Sequence, residues 1–273
     1  MTADDDSDHY YLGVHKDAFR RYRMFNEINM PGTASRLADL PLTPDMHILE
    51  VGCGIGDTAR YFAQNVVPDG HVTAFDQASD IVKIAEKEAR DAGISNITFI
   101  CAHAQDFDYG LDRFDFAHSR YVLSYSPDAA SIVASILGAL KPKGMFLGEE
   151  VAQSYVKHGK SDWIEKLEAW FTALIEHGGG HPNYGLEQLP SDMITAGFEN
   201  LHVNGFWPMQ DQEEVVAMLR LALSNEMRPN LVALGVATDA EIDAVLAAAQ
   251  APGKDFIVSA AAAIQVVGYK PWA

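Results

Sequence analysis

The sequence predicts an α/β fold: a parallel sheet with helices on both faces, and further helical segments inserted late in the chain. Three observations carry this expectation. Short apolar runs alternate with helix-length segments from Met46 onward. A glycine-rich turn directly follows the first apolar run, and Lys141-Pro142-Lys143-Gly144 sets breakers between a helical stretch and the next strand. Repeated β-α units of this length build parallel sheets with right-handed crossovers, and ligands of such sheets sit beyond the carboxyl ends of the strands.

Taken in order, the acidic start "MTADDDSDHYY" reads as a solvated tail, ordered from Tyr10 at the earliest, because a signal peptide would be basic and then apolar. Lys16–Asn29 and Thr33–Leu40 are expected helices. The strands expected next are Ile48–Val51, Val72–Phe75, Ile97–Cys101, Phe114–His118 and Met145–Glu149. Between them lie the helical stretches Asp57–Asn65, Ser79–Ala92 and Pro127–Leu140. After Glu150 the pattern changes. Asp162–His177 carries the apolar stripe Trp163, Leu167, Trp170, Phe171 and Leu174, and stops at Gly178-Gly179-Gly180. Helix Leu186–Ala196, strand Leu201–Phe206, helices Glu213–Met227 and Asp239–Gln250, and a closing strand Val258–Tyr269 complete the reading, with no internal repeat.

Composition narrows the function. The 273 residues are 48% hydrophobic and 21% charged, ample for a core. A net charge of −18, with no basic cluster longer than Phe19-Arg20-Arg21-Tyr22-Arg23, argues against nucleic acid as a partner. No apolar run approaches the roughly 18 residues of a membrane helix, so no membrane partner is expected. The two cysteines, Cys53 and Cys101, are no disulfide framework and fit a reducing cytoplasm.

In "HILEVGCGIGDTA", His47 to Ala59, three glycines fall within five residues. Such a turn lets backbone N–H groups and a helix N-terminus approach a ligand. A dinucleotide frame fits poorly. Read from Gly54 it starts two residues after the strand has ended; read from Gly52 it closes on Asp57, whose carboxylate would face a pyrophosphate. Glu50-Val51-Gly52-Cys53-Gly54-Ile55-Gly56, by contrast, resembles the E/D-x-G-x-G-x-G motif of class I S-adenosylmethionine-dependent methyltransferases. A carboxylate there suits a cofactor that bears an ammonium and a sulfonium and no phosphate. Asp76, ending the second strand, stands where such an acid takes both ribose hydroxyls, with Gln77 beside it. "CAHAQDF", Cys101 to Phe107, resembles the adenine segment G-D-A-x-D: Ala104 and Asp106 match, and Ala102 and His103 replace the G-D pair, so the adenine contact passes to His103 or Gln105. "FDFAHSRYVLSY" resembles the fourth-strand segment and places Ser119 beside the cofactor, and "LKPKG" is similar to L-K-P-G-G.

The resemblance runs from about Tyr10 to the C-terminus. It implies a Rossmann-like seven-stranded sheet, mostly parallel with an antiparallel last strand, and S-adenosylmethionine as cofactor. It also implies three regions: a tail with cap helices over 1–40, a cofactor-binding core over 41–150, and lid segments with the completing strands over 151–273. "GGGHPNYG" and the N-terminal segment look like small-molecule methyltransferases of natural-product type, so a small organic acceptor is expected, with oxygen first and carbon or nitrogen next. The N/D-P-P-Y/F signature of adenine-N6-type methylases is absent at Ser119-Arg120-Tyr121.

For an acceptor proton the candidate bases are Glu149 or Glu150, past the fifth strand, with at least one of the pair solvated. His181 on the lid and Tyr125 after the fourth strand are further candidates. His177 and His181 have metal-pair spacing, but Gly178–Gly180 interrupts them, and no metal is expected. Tyr10 and Tyr11 are candidates to close over the cofactor or to staple the first helix. Trp170 and Tyr184 are the expected acceptor-side probes, and a homo-oligomer stays open. Two other readings keep the same motif: a protein that binds S-adenosylmethionine without transferring its methyl, as a cyclase or binding module, and an NAD(P)-dependent oxidoreductase.

Overall fold

The computed structural model describes residues 16–152, 162–223, 227–250, 257–259 and 262–272; Tyr10 and Tyr11 lie outside them. Its centre is a seven-stranded sheet in the order β3-β2-β1-β4-β5-β9-β6. These strands are β1 (His47–Val51), β2 (His71–Asp76), β3 (Ile97–Cys101), β4 (Phe114–Arg120), β5 (Leu140–Ala152), β6 (Glu199–Phe206) and β9 (Ala262–Tyr269). Strands β1 to β5 pair in parallel, and β9 runs antiparallel to both β5 and β6. The order reverses direction at β1/β4, the place where strand ends part and leave room for a ligand. Ile48, Leu49, Val51 and Phe116 are buried because helices cover both faces.

Helices α2 (Asp57–Tyr61), α3 (Ser79–Asp91) and α4 (Ala129–Ala139) fall where the sequence predicts them. Helix α3 earns its place by an apolar face, with Ile81, Val82, Ala85 and Ala89 buried and charged residues elsewhere. The last predicted turn of α2 is instead a wider π turn, Phe62–Val66.

Other boundaries differ for physical reasons. The two expected front helices are one, α1 (Lys16–Ala38), with Pro31 inside it. Proline opposes a helix through its missing N–H, but here tertiary contacts hold both flanks. Asn29 accepts a hydrogen bond from the Tyr121 phenol at 2.9 Å, and Thr33 donates one to Glu149 at 2.7 Å. The expected helix 186–196 is split at Gln188 into α6 (Tyr184–Glu187) and α7 (Leu189–Ala196), whose first turn holds Pro190. The expected helix 213–227 is α8 (Gln212–Leu221), and Met227 opens a separate α9 (Met227–Ala233). The expected closing strand is two. β8 (Ile257–Ser259) pairs with β7 (Met209–Asp211) in a small second sheet, and only β9 enters the main one.

Helices α5 (Asp162–His177), α8, α9 and α10 (Asp239–Gln250) form a cap with its own apolar cluster, including Trp170, Leu174, Leu223, Leu231 and Ile242. Two further clusters lie on the two faces of the sheet.

Candidate active site

A cavity of about 550 Å³ opens at the carboxyl ends of β1, β2, β3 and β4, between the glycine turn and the cap. Its sheet-side wall is polar. Gly54 has φ 52°, and a Cβ added there would meet nothing within 4 Å, so the backbone is bared to open space. Gly52 lines the cavity beside Val122. Gly56 does not border it: at φ 78° its missing Cβ makes room for Ala85 at 2.9 Å and Phe99 at 3.0 Å, so this glycine lets α3 and β3 pack behind the turn.

Asp76 is buried and accepts hydrogen bonds from the Gly54 N–H at 2.9 Å and the Ala78 N–H at 3.0 Å. Burial pushes its pKa up against those bonds. The carboxylate therefore fixes the glycine turn to the end of β2. Gln77, His103, Ala104 and Gln105 follow along the same wall, and Gln105 donates to Ser126 at 3.1 Å. Asp57, also on the wall, pairs with Arg60.

Glu50 borders the cavity from below. It belongs to a fully buried line: His118 Nδ1 lies 2.8 Å from Glu50, and His118 Nε2 lies 2.8 Å from Glu149. Burial alone would strip the proton from His118, but the two carboxylates outweigh it and push its pKa up to about 9. Glu149 also accepts from Thr33 and Gln265. Burial would raise its pKa, yet His118, Arg120 and Thr33 hold it below the usual carboxylate range.

The opposite wall is apolar. Trp163, Leu167, Phe171 and Ile175 of α5 meet Met218 and Leu219 of α8 there. Tyr22, Phe25 and Asn26 of α1 close one side, next to Arg120, which donates to Thr33 and Thr58 at 2.9 Å each.

This donor set fits a cationic nucleoside cofactor better than a dinucleotide. Glu50, Asp57 and Asp76 border the bared turn, and none of its own residues is basic. Residues 42–219 match the methyltransferase domain family. The chain belongs to that family. Its sheet is the class I sheet, and the acid-bordered turn fits S-adenosylmethionine as the methyl donor of such a domain. The methyltransferase is similar to a demethylmenaquinone methyltransferase of Listeria welshimeri, 24% identical over 47% of this chain and 53% of the relative, so it spans about half that relative's length. It is also similar to the ubiquinone/menaquinone biosynthesis C-methyltransferase UbiE of Shewanella piezotolerans, 28% identical over 68% of this chain and 76% of the relative. Among solved structures, a Haemonchus contortus phosphoethanolamine N-methyltransferase 2 complexed with S-adenosylhomocysteine shares the fold, with TM-score 0.61, 17% identity, and 96% of this chain matched to 60% of that one.

Several expected residues stand elsewhere in the methyltransferase. Glu149 and Glu150 are both in β5 and both buried, and neither is a solvated loop acid. Glu149 does not border the cavity. Glu150 accepts the backbone N–H groups of Val122, Leu123 and Ser124, at 2.9–3.1 Å, and holds the turn after β4. Ser119 is enclosed within β4 and does not border the cavity. His181 lies outside the cavity, 3.3 Å from Glu187. Since α5 ends at His177 and Gly179 turns at φ 76°, His177 and His181 share no helix face. Trp170 packs inside the cap. Tyr184 is the first residue of α6, buried, with its hydroxyl donating to Asp192 at 2.7 Å. Tyr125 does line the cavity, and burial pushes its pKa up to about 12. His118, Arg120 and the α1 residues are not among the sequence-predicted site residues; charged or polar residues in "FDFAHSR", otherwise a buried-strand pattern, are the signal that marks the first two.

Proposed function

We propose that the protein transfers the methyl group of S-adenosylmethionine to a small organic acceptor with a largely apolar body, at carbon or oxygen of a hydroxylated ring. The observation that carries this reading is the apolar wall of Leu167, Phe171 and Met218 facing the acid-bordered glycine turn across one cavity. The curated relatives named for quinone methylation support the same acceptor chemistry. When bound, the cofactor supplies an electrophilic methyl on a sulfonium.

The chain's own residues do the rest. Glu50 and the bared Gly54 backbone take the cofactor's amino-acid end, and Asp76 and Gln77 its ribose. His103, Ala104 and Gln105 take its adenine. The cap wall excludes water and positions the acceptor, which is where much of the acceleration of a pre-activated methyl arises. Tyr125 stays neutral and donates a hydrogen bond to acceptor oxygen; it does not remove a proton. In this division of labour 41–150 handles the cofactor and the cap within 151–273 the acceptor, with α1 closing over both. Among the described residues no helix is long and apolar enough to cross a membrane, and the separate cysteines, Cys53 buried and Cys101 exposed, support a reducing cytoplasm.

The test is incubation with labelled S-adenosylmethionine and a panel of quinols, phenols and amines. The expected result is S-adenosylhomocysteine together with an equimolar methylated ring compound. The engaged state of Glu50, Asp57 and Asp76 favours one alternative, binding without transfer, because none of these acids is free to act as a base. Tight cofactor binding with no S-adenosylhomocysteine from any acceptor would establish it.

A further inference from the structure

The line Glu50–His118–Glu149 is not explained by packing. Three ionisable side chains occupy a site where Glu50 is 2% exposed, His118 0% and Glu149 1%, and such burial is expensive unless every charge is answered. Both ring nitrogens of His118 face carboxylate oxygens at 2.8 Å. An ionised carboxylate only accepts, so two such contacts require a proton on each nitrogen.

The two carboxylates are not equivalent. Glu149 is engaged on both oxygens, taking Thr33 and His118 on one and Gln265 on the other. Glu50 gives the ring one oxygen and borders the cavity. The Phe62 ring meets the imidazole edge-on at 5.3 Å, and Arg120 bears on the Glu149 end. The other ionisable groups nearby, Cys53 and Tyr121, are pushed up by burial and stay neutral near pH 7.

We propose that His118 is a positioning residue: an imidazolium anchored by Glu149 that holds the Glu50 carboxylate, ionised and aimed, at the cationic end of the cofactor. The trio then carries one net negative charge beside the cavity. This rests on the reading that Glu50 faces that end. Without the bridging charge, the two buried carboxylates face each other with only Arg120, at the Glu149 end, to answer them, and their mutual repulsion favours protonation of one as pH falls.

Two measurements test it. Nitrogen NMR of the full chain with labelled histidine, without cofactor, should show His118 protonated on both ring nitrogens from pH 6 to pH 8. A neutral tautomer in that range overturns the proposal, whatever the cavity binds. Calorimetry with S-adenosylmethionine then compares the wild type with His118→Gln from pH 5.5 to pH 7.5. The wild type should bind with a flat profile. The variant should lose at least about tenfold at pH 7, one charge-assisted contact, and regain affinity as pH rises. Wild-type affinity in the folded variant, or a loss equal at every pH, overturns the proposal. If the wild type binds no S-adenosylmethionine, the cofactor assignment fails instead. Should His118→Gln not fold, the NMR result decides alone.

Discussion

The sheet-side wall of the cavity is built from fixed hydrogen bonds at the ends of β1, β2 and β4, whereas the wall given by α5 and α8 is built from apolar side chains on a cap with its own core. The first wall has little freedom to vary. Gly54 is locked by Asp76, Glu50 by His118, and the turn after β4 by three N–H groups on Glu150. The second wall is held by shape alone, and one apolar side chain can replace another there at modest cost. The difference teaches where specificity resides. In the proposed function, a cofactor of one structure is met by groups with direction, and an acceptor by a surface that can be remodelled while the sheet is left intact.

The contrast should break most sharply at the glycine turn. Gly54→Val places a branched side chain in the open space proposed for the cofactor, at a φ of 52° that valine tolerates poorly. Calorimetry should find S-adenosylmethionine binding lost by at least about 100-fold, two tenfold steps of about 1.4 kcal/mol each. Next in size is Asp76→Ala, which strands the Gly54 and Ala78 N–H groups and removes the proposed ribose acceptor. Charge-assisted bonds of about 1.5–3 kcal/mol predict a loss of about 10- to 100-fold in cofactor affinity, with a lower melting temperature. On the other wall, Phe171→Ala removes apolar surface worth about 1.5–3 kcal/mol and should raise the acceptor KM about tenfold. S-adenosylmethionine affinity should stay within about twofold in the same variant. A matching loss on the cofactor side would erase the distinction between the walls.

Two smaller effects sharpen it. His118 has a folded pKa raised to about 9 from an ordinary 6.5. Its contribution to stability is complete below pH 6.5 and is lost as pH rises through 9. Thermal melts from pH 6.5 to 9.5 should therefore fall more in the wild type than in His118→Gln. Tyr184→Phe, in the sheet-face cluster and outside the cavity lining, should cost about 1 kcal/mol by deleting the bond to Asp192 and leave cofactor and acceptor constants unchanged.

The same contrast explains what could be read from the sequence. β1 to β4, α3 and the glycine turn were legible because their signals are local: a buried run, a bared turn, an acid at a strand end. Gly56 belonged to the motif but serves packing against Ala85, a contact 29 residues away that no local pattern reveals. At least one of Glu149 and Glu150 is expected near solvent because the sequence pattern ends the strand at Glu149, whereas β5 continues to Ala152. His118 could be seen as a polar residue in a buried strand, but its partners come from β1 and β5, which only pairing brings together. The apolar wall was least legible. One face of α5 supplies both cap core and cavity, so Trp170 and Phe171, adjacent in sequence, part ways in space.

The most direct measurement is a crystal structure with S-adenosylhomocysteine. The amino-acid end should lie at Glu50 and Gly54, the ribose at Asp76 and the adenine along His103–Gln105, with the space under Leu167, Phe171 and Met218 left for the acceptor. Density for the nucleoside against Phe171, with Asp76 untouched, would contradict this placement.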